Sequence, residues 1–114
     1  MTANFSYRHY GVTQWLACDG DTTVHASLNT SSISDHGNGD NTVTFSHGHE
    51  DDDYAIALAG RPDDTGNARM AASCLTSHRA LPSTSAYNTS FHYENVTRRE
   101  TDHFTAFTTG NITS

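Results

Sequence analysis

Apolar and polar residues alternate along this chain in short, separate runs. Between Thr22 and Leu28, the residues Val24, Ala26 and Leu28 share one side, while Thr23, His25 and Ser27 share the other. Asn41 to His47 alternates through Val43 and Phe45, and Tyr54 to Gly60 through Tyr54, Ile56 and Leu58. A period of two carried by β-branched and aromatic residues predicts strands with one buried face. An earlier strand is expected over Thr13 to Cys18, with Trp15 as its largest core residue. Later strands are expected over Ala86 to Val96, carrying Tyr87, Phe91 and Tyr93, and over His103 to Thr109, carrying Phe104 and Phe107. The core should hold Trp15, Val24, Leu28, Ile33, Val43, Phe45, Tyr54, Ile56 and Leu58.

Breakers separate these runs. Asp35-His36-Gly37-Asn38-Gly39-Asp40, the stretch from Gly48 to Asp53, and Arg61 to Asn67 are rich in Gly, Asn and Asp. Such residues supply positive φ and close Asx-turns. Residues 68–75 are ambiguous, because Ala68, Ala71, Ala72 and Leu75 fall at helical spacing and Ala and Met favour helices. The run is short and Pro82 follows soon after, so a strand is the preferred assignment. About seven to eight short strands with regular turns predict an all-β, antiparallel β-sandwich, in one domain spanning 1–114.

Composition narrows the functional classes. Hydrophobic residues make up 34% of the 114 residues, which is lean for a domain that must stabilise itself alone. Stability shared between subunits would fit. The net charge is -7 and all six basic residues are Arg. Arg98-Arg99 is the sole adjacent basic pair, so a nucleic-acid partner is not expected. The sequence has no apolar run long enough to insert in a membrane and no leader pattern at Met1, so a soluble protein is expected. Cys18 and Cys74 lack the spacing of a metal knuckle or a disulfide scaffold and read as two buried thiols. Sequons at Asn4, Asn29, Asn88, Asn95 and Asn111 are what an Asn-, Ser- and Thr-rich chain produces by chance.

The run Asn29-Thr-Ser-Ser-Ile33-Ser-Asp35, followed by Gly37, Gly39 and Asp40, resembles a module of tailed-phage tail-fibre proteins. In outline that module reads Trp-Val-x-Phe-(Asp/Asn)-Gly, a short strand, then Asn-Val-Ser-Ser-Ile-Thr-Asp-x-Gly-x-Gly-Asp-Tyr-Thr-Val-Asn-Phe. Its continuation is matched by Asp51-Asp-Asp-Tyr54-Ala and a strand ending at Gly60, and its close by Phe107-Thr-Thr-Gly110-Asn111. The likeness covers about residues 14–112. Two departures stand out: Asn41 and Cys18 occupy positions that are aromatic in the module. The resemblance implies a trimeric β-sandwich on a virion surface. Because the chain begins at Met1 almost directly with the module, a short stand-alone product is expected rather than a fibre with a long shaft.

Two functions follow from the resemblance. The first is structural: a trimeric capsid decoration (cement) protein or small appendage, partnered with itself and with other virion proteins such as the major capsid protein. Many shallow contacts multiplied by copy number would supply its grip. The alternative is an adhesion module at a fibre tip, binding a host receptor or glycan through its loops. The loops hold mostly Asp, Gly, Asn and His with few aromatics, which favours the structural role.

His47-Gly48-His49 is a candidate ligand pair, since imidazoles at i and i+2 on a strand share a face and some trimeric phage fibres bind iron on the threefold axis through His-x-His. The acidic run Glu50 to Asp53 follows directly and would favour oxygen-ligand chemistry instead. The expectation is therefore a solvated hairpin loop without metal, whose imidazoles titrate near pH 6.5 or somewhat above. The acidic run lacks the spacing of a calcium loop. With no nucleophile elbow and only Glu50, Glu94 and Glu100 as glutamates, neither catalysis nor a cofactor is expected.

Overall fold

The computed structural model describes residues 11–37, 39–62, 70–73, 82–93 and 101–112. The described residues form eight strands and no helix. These are β1 (Val12–Asp19), β2 (Val24–Leu28), β3 (Ser32–Asp35), β4 (Asp40–Thr44), β5 (Ala55–Pro62), β6 (Met70–Ser73), β7 (Ala86–Tyr93) and β8 (Thr101–Thr109). They make two four-stranded antiparallel sheets, ordered β2-β1-β8-β5 and β3-β4-β7-β6. The segment at 70–73 is a strand, as its shortness suggested. Cys74 and Arg98-Arg99 lie outside the described residues.

One core joins the sheets in a sandwich-like arrangement. The first sheet contributes Leu16, Cys18, Phe104 and Ala106, and the second contributes Val43, Tyr87 and Phe91. Phe91 and Phe104 meet across the interface with ring centroids 5.0 Å apart. Alternation dictates these positions: Leu16 pairs with Ala106 and Cys18 with Phe104, and residues paired directly across two strands point to one face. Burial pushes the Cys18 thiol up to about 12, with the nearby Asp19 and Asp21 carboxylates adding to the effect.

The turn from β3 to β4 is the Gly-rich breaker. Gly37 and Gly39 adopt φ of 91° and 77°, and the Gly37 amide donates to Asp35 Oδ1 at 2.8 Å. Only glycine enters that φ region without steric cost. Asn29 also has positive φ, at 55°, and works as a clamp between segments. Its Nδ2 donates to the carbonyls of Thr13 and His47, and its Oδ1 accepts from the His47 amide.

Part of the expected core is not core. Val43, Phe45 and Tyr54 are buried, whereas Ile33, Ile56 and Leu58 are half-buried against the cluster. Trp15, Val24 and Leu28 are instead exposed. In β1 both faces carry apolar side chains, so the pattern fixes the strand without fixing which side is inward. Gln14, Leu16 and Cys18 take the inner side, leaving Trp15 outside. Gln14 is accommodated in the interior by two hydrogen bonds: Oε1 accepts from Tyr87 OH at 2.9 Å, and Nε2 donates to Thr30 at 3.0 Å. β2 is an edge strand with all five residues exposed, which accounts for Val24 and Leu28.

Candidate functional site

The connection from β4 to β5 was expected to be a solvated hairpin loop. It crosses instead from the second sheet to the first and closes one end of the sandwich. Its residues divide by chemistry. Glu50, Asp51, Asp52 and Asp53 are exposed, with the Asp53 amide donating to Asp51 Oδ1 in an Asx-turn. Phe45, His49 and Tyr54 turn inward. The His49 ring stacks on Tyr54 at 4.2 Å and lies 4.5 Å from Phe45. Its Nε2 shares a 2.8 Å hydrogen bond with Thr13 Oγ1, which also reaches Thr108. Tyr54 OH donates to the carbonyls of Ser83 and Ala86, tying the plug to the start of β7. Gly110 packs on this plug so closely that an added Cβ would sit 2.8 Å from Tyr54 Cβ.

His47 and His49 therefore part company. His47 is exposed and His49 is 2% exposed, so the two imidazoles do not face one site. The expectation that both rings face water with slightly raised pKa values fails for His49. Burial holds its pKa below the usual histidine value, and the Asp51 carboxylate offsets this in part. A histidine whose folded pKa is depressed stays neutral in the fold while the unfolded chain takes up a proton. Its contribution is intact above about pH 6.5 and is lost as pH falls from there through the folded value. Thermal melts at pH 7.5 and pH 5.0 should show a larger stability loss for the wild type than for His49→Gln. Equal losses would rule out His49 as the titrating group.

The outer face of the first sheet carries the most unusual surface. Trp15 pairs with Leu28 on one side and Phe107 on the other, and Phe107 pairs with Ala57. These four residues form one row across all four strands. The next row is Ala26, Ala17, Thr105 and Ala59. Trp15, Leu28 and Phe107 remain 38%, 39% and 43% exposed. Single exposed apolar residues are ordinary; here three large ones stand side by side in register, flanked by small side chains.

Beside this row the same face turns polar. Asp19, the last residue of β1, accepts a 2.8 Å hydrogen bond from His25 Nε2 of β2. Across the other side Asp19 pairs with His103 of β8, whose Nδ1 lies 3.8 Å from the same carboxylate oxygen. The His25 hydrogen bond, aided by the charge of both imidazoles, holds the Asp19 carboxyl below the usual range. None of these three residues stands out in the linear pattern. Eighty-four positions separate Asp19 from His103, and only strand register brings them together.

A third feature is an open cleft of about 290 Å³ lined by Thr13, Leu28, Asn29, Ser46, His47 and Ile112. Family models, curated proteins and solved structures contain no match to this chain.

Proposed function

We propose that this chain is a structural protein of a tailed-phage virion surface, working as a homotrimeric capsid decoration (cement) protein or small appendage. The observation that carries the proposal is the exposed row Leu28-Trp15-Phe107-Ala57 on the outer face of the first sheet. Large aromatic side chains in a contiguous patch are the usual anchors of protein interfaces. Covering them with further copies of the same chain would supply the stability that a lean composition withholds from a lone domain. The tail-fibre resemblance of residues 14–112 supports three copies rather than two.

The role of such a trimer is mechanical. Each copy needs only a modest grip on the particle, because simultaneous engagement of several copies multiplies weak contacts into stable attachment. The exposed acidic turn at Glu50 to Asp53 and the exposed residues Asp35, His36 and Gly37 present polar surfaces for contacts of that kind. The cleft beside His47 supports a second reading, adhesion to a host receptor or glycan at a fibre tip. A density map of virions produced from the genome that encodes the chain tests both. Sandwich-shaped density in groups of three over the capsid is the expected result. Copies confined to the tail tip select the adhesion reading, and a particle without the chain overturns the proposal.

A further inference from the structure

We propose that Asp19, His25 and His103 form a binding site for a divalent transition-metal ion of the zinc class, on the outer face of the first sheet. Three adjacent strands, β2, β1 and β8, each contribute one ligand-type side chain to one point on that face. Their candidate ligand atoms, one carboxylate oxygen and two imidazole nitrogens, all lie within 4.8 Å of one another.

The geometry suits a tetrahedral ion. Zinc binds imidazole nitrogen at about 2.0–2.1 Å and carboxylate oxygen at about 2.0–2.2 Å, which places neighbouring ligand atoms about 3.3–3.5 Å apart. The two separations from Asp19 Oδ1, 2.8 Å to His25 Nε2 and 3.8 Å to His103 Nδ1, bracket that distance. All three side chains are partly exposed, which leaves them room to adjust around an ion. The imidazole rings stand beside each other, centroids 5.8 Å apart and inclined by 32°, as two ligands on one ion do.

The donor set also selects the ion. Two imidazoles and one carboxylate are borderline ligands that suit zinc and its neighbours, whereas calcium and magnesium require oxygen shells. The side chains are partly exposed, so the remaining coordination position opens to water or to a group from a neighbouring molecule. None of this requires the virion reading; the site belongs to the single chain.

Calorimetric titration of tag-free, chelator-treated full-length protein with zinc chloride tests the site. Saturable binding of one ion per chain is expected. His25→Ala and His103→Ala should each weaken it by more than the roughly ten- to hundred-fold that loss of an outer-shell partner costs. His36→Ala, at an exposed histidine whose ring bonds Thr42 on the second sheet, should leave binding unchanged. In the wild type, NMR should show the ring signals of His25 and His103 shifting with zinc, a readout independent of whether the variants fold. Absence of saturable binding, or ring shifts confined to other histidines, overturns the proposal.

Discussion

Phe45→Ala is expected to destabilise the domain by about 3–5 kcal/mol. Phe45 is the first residue after β4, where the chain leaves the second sheet for the first. Its ring contacts His49 at 4.5 Å, Tyr54 at 5.4 Å and Tyr87 at 5.6 Å, so it links the crossing segment to the common core. The contacts are between rigid rings held by hydrogen bonds on their far sides, which limits how far they can collapse into the space an alanine leaves. A small domain has about 5–15 kcal/mol of stability in all. The loss should lower the melting temperature by roughly 10 °C or more when wild type and variant are compared at one protein concentration. An unchanged melting temperature would contradict the packing described for the plug.

Trp15→Asp and Phe107→Asp should have a different signature: assembly fails while the sandwich survives. Both side chains stand on the outer face, in register with each other and away from the shared core. A carboxylate at either position can still reach water in an isolated chain, because both lie on the exposed outer face. Buried between copies it would be an unpaired charge in an apolar contact, which is strongly disfavoured. Loss of one central aromatic anchor typically costs at least about 2 kcal/mol, near thirty-fold in dissociation constant. Each variant should therefore sediment as a smaller species than wild type, with the same far-ultraviolet circular dichroism. An unfolded variant would instead mean that the row supports the fold of the single chain.

The sequence made some of this legible and hid the rest for definable reasons. Over Tyr54 to Gly60, where large apolar residues alternated with alanines, both the strand and its inward face could be read. The Gly37 and Gly39 turn could be read too, because its backbone demands residues that few positions tolerate. The short strand Ser32–Asp35 was not seen, since Ser and Asp flank a single apolar residue there. In β1 apolar residues line both faces, so size points to Trp15 although Gln14, Leu16 and Cys18 take the inward side. Inward Gln14 depends on Tyr87 and Thr30, both distant in sequence, and local patterns carry no record of them. The Asp19, His25 and His103 cluster was hidden for the same reason, whereas His47-Gly48-His49 was conspicuous in the sequence and is split by the fold.

Light scattering on purified full-length protein, followed through serial dilution, tests most directly whether the outer face of the first sheet is an assembly surface. A homotrimer gives a mass near three times the 12.4 kDa chain, shifting toward one chain in Trp15→Asp. A wild-type mass of a single chain at every concentration would contradict it.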